Sequence, residues 1–302
     1  MSYTFFTADV FTEKPFNGAQ VPVFPDASGL STEQMQKISN ETGAANTVFV
    51  EKLSEGRFKL RSFTPFKEVS GATHSVIAAA QVLASTGACV LGDIPTELNF
   101  ECQNVGIKAH VSRDGGKPGV IEQSMVTHAT IDRFTPSDDE LAAMLSLTQP
   151  DIGFDHFRPL ILSCGTPYLI VPIKSYRAIQ EVRFKFDEWS RSSAPSSLAQ
   201  NLLLFSNNTD PTVADFHVRL FGPEIGGHED PPVGATIPAF ANYLCAHSHI
   251  QLGTHVFAVE RGHSESRQSI ISVEMDNRRT QDLTIRVGGR AVLMSENKLL
   301  VA

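Results

Sequence analysis

His74 is the residue of this chain whose type and setting best suit chemistry. It ends a polar turn, KEVSGATHS (67–75), and opens an Ala-rich apolar run, VIAAAQVLA (76–84). An imidazole exchanges protons near neutral pH, the property a general acid or base needs. A helix start adds N–H groups without intrahelical partners and the positive end of the helix dipole, which together hold carboxylates. Thr73, His74 and Ser75 are therefore candidates for binding an anion and moving a proton beside it. A second turn of the same kind, EIGGHEDPPVGAT (224–236), leads into IPAFANYL (237–244). There Val233–Gly234–Ala235–Thr236 forms the second candidate helix start. Glu229–Asp230, stiffened by Pro231–Pro232, supplies a carboxylate partner for His74, with Asp230 the chosen residue. Taken singly, each turn is equally well read as a plain helix cap; their duplication favours a site.

What must position these turns is a phrase written twice. Residues 58–65 read FKLRSFTP and residues 216–223 read FHVRLFGP, each followed by a polar turn and an apolar helical run. Long-period self-similarity of this kind predicts two similar half-molecules, whose matching turns are expected to face one cleft. Around the repeat, alternating residues predict strands over 3–11, 19–24, 46–52, 57–63, 98–101 and 106–112. Pro22 within the second of these predicts an edge or a bulge. Ser31 or Thr32 is expected to cap a helix running to about Thr42. The run over 75–86 is small and apolar all round, the mark of a helix buried on every side. In the second half, 157–173 repeats the opening hairpin, 174–200 is polar and helix-rich, and strands close the chain. SRSSAPSS (190–197) reads as a surface loop, and 113–137 as the only linker-like stretch. The expected fold is α+β, two domains each a curved β-sheet wrapped around one central α-helix. The domains are expected to span 1–122, completed by the last strand at about 290–302, and 123–289.

Composition narrows the function. The chain has 302 residues, enough for two domains, with 41% hydrophobic and 19% charged residues and a net charge of −8. No basic stripe is present, so a nucleic-acid partner held through phosphates is not expected. The opening MSYTFFTADVFTEKPF lacks a basic segment followed by an apolar one, and no apolar stretch reaches membrane-spanning length. A cytoplasmic protein without a membrane partner is expected. Cys89, Cys102, Cys164 and Cys245 form no C-x-x-C pair and read as reduced thiols. His247, His249, His255 and His263 lack a matching carboxylate or cysteine pattern, so no metal is expected.

On longer segments the chain resembles the PhzF-like (phenazine biosynthesis-like) proteins, which share the diaminopimelate epimerase fold. The resemblance covers nearly all of it. It is carried by DVFTEKPFNGAQVPVF (9–24), ANTVFV (45–50), FTPFKEVSGATHSVIAAAQVL (63–83), RLFGPEIGGHEDPPVGA (219–235) and the VERG…RQS…VGGRAV segments (259–292). It implies pseudo-twofold-related, barrel-like domains, an interdomain active site, a homodimer, no cofactor and proton transfer at carbon. In the family pattern a Glu serves as base where this chain has Asn46, and a neutral amide cannot take that proton. Glu41 and Glu68 are possible substitutes, though neither is at the motif position. Gly-Asn of the pattern is here Gly18–Ala19, the Gly before the histidine is Thr73, and the pattern's Thr and Ser beside Gly234 are Val233 and Ala235. Ala72 and Val233 stand where the wider fold's racemases carry two cysteines, which excludes two-thiol chemistry. The resemblance thus implies an isomerase of a small carboxylate-bearing metabolite. His74 and Asp230 would move the proton and Asn46 would hold the substrate, with Gly18, Thr73, Ser75, Gly234 and Ala235 lining the site. The alternative is an inactive or repurposed binding member.

Overall fold

Residues 2–70, 73–103, 105–207, 214–223, 225, 232–247, 250–262, 267–278 and 282–300 are described by the computed structural model of the chain. Strand β1 (Ser2–Val10) turns back on β2 (Ala19–Phe24) in antiparallel register, with Val10 opposite Ala19. Helix α1 (Thr32–Thr42) opens on a reciprocal cap: Ser31 Oγ accepts from the Gln34 N–H, and the Gln34 side chain accepts from the Ser31 N–H. This pairing satisfies donors that a helix end otherwise leaves orphaned. The helix stops at Gly43, whose φ of +64° suits a residue without Cβ. Then come β3 (Thr47–Ser54), β4 (Arg57–Phe63), β5 (Glu68–Val69), α2 (Thr73–Ser85), β6 (Thr96–Cys102), β7 (Val105–Asp114) and β8 (Lys117–His128).

The second half continues with β9 (Thr130–Asp132), α3 (Asp138–Leu145), β10 (Leu160–Ser163) and β11 (Pro167–Pro172). Next are α4 (Tyr176–Glu181), α5 (Phe186–Arg191), β12 (Asn201–Ser206), β13 (Phe216–Phe221) and α6 (Ile237–Cys245). Strands β14 (Gly253–Arg261), β15 (Ser269–Asn277), β16 (Asp282–Gly289) and β17 (Ala291–Leu300) close the chain. Contacts divide it into two compact units, one of Met1–Met125, Glu265–Ile271 and Arg286–Ala302, the other of Val126–Ser264 and Ser272–Ile285. In the first unit β17 lies antiparallel to β1.

Within each unit the same pairings recur. Strands β2 and β3 are parallel, β3 and β4 antiparallel, β4 and β6 parallel. Likewise β11 and β12 are parallel, β12 and β13 antiparallel, β13 and β14 parallel. A helix occupies each last crossover, as a parallel step requires a long connection. Helix α2 is buried from Thr73 to Leu83 and packs on β1, β2, β3, β7 and β17, so the sheet curls around it. Helix α6 is similarly buried and packs on β10 and β11. The repeated phrase forms β4 and β13. Arg61 stacks over Phe63 at 5.1 Å and Arg219 over Phe221 at 4.7 Å, so the two copies match in side-chain packing as well as in letters. The expected α+β fold of sheets wrapped on central helices is the one observed.

Several local expectations are corrected. Most of 113–137 is strand rather than linker: β8 pairs with β7, and its alternating burial fits a half-covered strand. Helix α2 begins at Thr73, so His74 is inside the helix rather than before it. Pro22 is on no edge strand. It faces Thr7 of β1, and the β2–β3 ladder begins only at Val23, so its missing N–H costs no bond there. Helix α3 has no counterpart in the sequence reading, although Ser137 and Glu140 form a second reciprocal cap.

Candidate active site

Three elements of the first unit bring their polar side chains to one buried point. His74, the second residue of α2, is 2% exposed. Its Nε2 lies 2.8 Å from Oδ1 of Asn46, the residue just ahead of β3. The Asn46 Nδ2 donates to Ser62 Oγ at 3.4 Å, and Ser62 Oγ is 3.0 Å from Ser75 Oγ. Ser75 follows His74 on the helix, so the hydrogen bonds close a ring. Ser62 alternates with Phe58 and Leu60 on the core face of β4, a place where a hydroxyl needs a partner. The loop carrying Asn46 is tied down by the 2.8 Å contact of Thr42 Oγ1 with Thr47 Oγ1. Of the four side chains only the imidazole takes and gives a proton near neutral pH; the amide and hydroxyls orient it.

Gly18 belongs to another network of the same unit. Its φ is +69°, and a Cβ there would lie 2.2 Å from the Val10 carbonyl oxygen. Its N–H donates to the Gln268 carbonyl at 2.8 Å, and its carbonyl accepts from Arg267 Nε at 3.1 Å. Arg267 also donates to the Asn17 carbonyl at 3.2 Å and pairs with the buried Asp9 carboxylate, which accepts the Phe16 N–H at 2.9 Å. Burial pushes the Asp9 carboxyl upward, against the opposing pull of Arg267 and the Phe16 N–H. The Gly18 turn is thus held by a half-buried charge pair that sequence reading missed. Its only signal was the co-occurrence of Asp9 and Arg267 within two of the family-like segments.

The remaining candidates are placed as follows. Thr73 and Ser75 are buried in the first turn of α2. In the second unit Gly234 is buried and Ala235 exposed. Thr236 closes the turn, its N–H and Oγ1 both donating to the Val233 carbonyl at 2.9 and 2.8 Å. Asp230 and Glu229 lie outside the described residues. Glu41 is exposed on the last turn of α1. Glu68 is committed to Arg61, which donates from Nε at 2.8 Å and Nη2 at 2.7 Å and holds the carboxyl below its usual range. Among the described residues no group of three or more His, Cys, Asp or Glu is placed to hold a metal ion. His247 packs edge-on against Phe157 and Tyr243, His255 lies 2.9 Å from the Gln251 carbonyl, and His249 and His263 are outside the described residues. Burial raises all four thiols, Cys102 to about 12 and Cys164 and Cys245 to about 11, so none is poised as a nucleophile. No described helix is long and apolar enough to cross a membrane.

Known proteins resemble the chain over nearly its whole length. The profile of the phenazine biosynthesis-like protein family matches residues 8–297. An uncharacterized isomerase of Mesorhizobium japonicum is 27% identical, covering 97% of each chain. The trans-2,3-dihydro-3-hydroxyanthranilate isomerase of Pseudomonas chlororaphis is 25% identical, covering 97% of this chain and 98% of its own. The solved PhzF-family phenazine biosynthesis protein of Bacillus anthracis has the same fold, with a TM-score of 0.86 at 21% identity over 100% of both chains.

Proposed function

The chain belongs to the phenazine biosynthesis-like (PhzF) family, and from that membership we propose that it is a cofactor-independent isomerase. It moves a proton between carbons of a small carboxylate-bearing metabolite. The observation that carries this reading is the buried ring of His74, Asn46, Ser62 and Ser75 at the start of α2. His74 takes the proton and Asp230 is its acid–base partner. Backbone around Gly18, Thr73 and Ser75 receives the substrate, its carboxylate at helix-start N–H groups. Positioned proton transfer of this kind is worth roughly 10²–10⁴-fold in rate. The names of the relatives, several of them isomerases, point the same way. A homodimer follows from the family resemblance alone.

One observation favours a second reading, a binding protein without catalysis. Where the family pattern carries a Glu base, this chain has an amide whose two ends are engaged by His74 and Ser62. Proton exchange separates the two. Amino acids and dihydroaromatic acids incubated with the protein in D₂O should lose a C–H signal by NMR under the isomerase reading, and His74→Ala should abolish the loss. Binding without exchange across the panel would instead establish the second reading. Exchange undiminished in His74→Ala would overturn the assignment of the base.

A further inference from the structure

We infer that His217 is an acid-sensitive latch on helix α4 of the second unit: a neutral imidazole with its one hydrogen on Nδ1, whose Nε2 accepts from Gln180 until a second proton on the ring breaks that contact. The latch is independent of the isomerase reading. Both ring nitrogens of His217 are engaged. Nδ1 lies 3.0 Å from Glu260 Oε1 on β14, and Nε2 lies 3.1 Å from the side-chain nitrogen of Gln180 on α4. An amide nitrogen only donates, so the ring Nε2 that meets it carries no hydrogen. A neutral imidazole has one hydrogen, which is then on Nδ1, and Glu260 Oε1 meets it as an acceptor. The tautomer thus follows from the atoms that face the ring. His217 and Glu260 are both buried, which keeps water from competing at that contact.

What the latch holds is a helix of six residues, far shorter than one that stands alone in water. His217 and Arg219 are two residues apart on β13, hence on one face of the strand, and both reach α4. Arg219 Nη1 donates to the carbonyls of Ile179, Gln180 and Val182 at 2.9, 3.3 and 3.3 Å, a tie whose donor keeps its charge in acid. His217 adds the tie that acid can undo, accepting from Gln180 and packing edge-on against Tyr176 at 5.0 Å. Among the described residues, the titratable and charged groups around it are Glu260 from β14, Tyr176 from α4 and Arg219 on its own strand. Its cross-strand neighbour on β12 is Ser206, and Arg261 lies opposite Val218, on the other face of the sheet. Asp215 accepts the Ala258 N–H at 2.7 Å, and Arg177 and Glu181 of α4 pair with each other at the surface at 2.9 Å. A second proton, taken from solvent, binds the Nε2 lone pair and sets one N–H against another. Two donors cannot share a hydrogen bond, so acid removes the Gln180 tie and leaves those of Arg219: α4 loosens without being released.

Nitrogen NMR on the whole chain with ¹⁵N-labelled histidine reads the ring directly. His217 is assigned by the signal lost in His217→Asn or, should that variant not fold, by the one ring whose signals move in Gln180→Glu, a change at a half-buried position. At neutral pH Nδ1 should show the protonated signature and Nε2 the unprotonated one; the opposite tautomer, or a doubly protonated ring, would overturn the inference. Hydrogen exchange over residues 176–181, corrected for the intrinsic effect of pH on exchange, reads the latch. As the ring gains its second proton, protection of α4 should fall about three- to tenfold, the worth of one hydrogen bond, while that of α1 holds. Protection unchanged through that titration would mean that the Gln180 amide simply turns over, and would overturn the latch. In Gln180→Glu the new carboxylate accepts from Nε2–H, so the ring should hold its second proton about tenfold or more tightly, and α4 should no longer loosen over the same pH range. A Gln180→Glu protein that loosens as the parent does would overturn it too.

Discussion

Replacing Gly18 by alanine tests how rigidly the turn that carries it is built, and Gly43 supplies an internal control. Both glycines sit in the left-handed region, at φ +69° and +64°. At Gly43 an added Cβ meets nothing within 4 Å, so Gly43→Ala carries only the backbone penalty. That penalty is about 1–2 kcal/mol for an L-residue, and the stiffer unfolded chain offsets it by about 0.4–1 kcal/mol, leaving a net near 1. At Gly18 the same Cβ would lie 2.2 Å from the Val10 carbonyl oxygen and 2.8 Å from Thr12 Cγ2. Val10 is fully buried and paired on both sides, with Ala19 on β2 and Ala291 on β17, so it has little room to yield. Such overpacking adds about 1–3 kcal/mol. Gly18→Ala should therefore cost about 2–4 kcal/mol, against a typical total of about 5–15. Urea titrations of both variants by circular dichroism would read the costs as midpoint shifts at unchanged slope. Equal losses in the two variants, or a smaller one at Gly18, would refute the argument that the turn is sterically locked.

Two further predictions concern buried or half-buried charge. Arg61 holds the Glu68 carboxyl below its usual range, chiefly through their hydrogen bonds. A depressed folded-state value means the stabilisation is complete above the ordinary carboxylate value of about 4.3 and is lost as pH falls through the folded value. Glu68→Gln should thus cost about 1 kcal/mol at pH 7, a gap that closes on acidification; a gap constant from pH 7 to 3 would contradict this. In the second unit His217 Nδ1 lies 3.0 Å from Glu260 Oε1, with side-chain exposures of 1% and 2%. Glu260→Ala should destabilise by about 3–5 kcal/mol, as loss of one partner of a buried pair does. Glu260→Gln, which keeps an acceptor, should lose clearly less, and equal urea midpoints for the two would show that the retained acceptor contributes nothing and refute this reasoning.

The repeat was legible because it is made of side chains that do the same job twice. Arg61 and Arg219 each stack on a phenylalanine two residues later, a local interaction that spacing alone encodes. The apolar stretch after His74 was legible for the same reason, since a helix apolar all round has to be wrapped. Ser62 was not legible as a site residue. Its hydroxyl matters only because the β3–β4 register and the packing of α2 bring Asn46 and Ser75 to it, and no period in the sequence records that. The Asp9–Arg267 pair was hidden by its separation of 258 residues along the chain. Strand β8 was read as linker because its alternation is interrupted by Ser124 and Met125, both only partly buried.

The two copies of the scaffold have kept their packing and parted in their chemistry. Aligned on the shared Gly-Ala-Thr, His74 and Ser75 correspond to Ile237 and Pro238. The first helix start offers a titratable ring; the second closes on itself through Thr236 and Val233. Where α2 carries Ala79, α6 carries Asn242, whose Nδ2 donates to Thr127 Oγ1 at 2.8 Å and to the Pro238 carbonyl at 2.9 Å. Polar groups in the second helix are thus spent on joining elements, and those at the first helix start on orienting an imidazole. Architecture and chemistry are therefore carried by different residues of the same repeat.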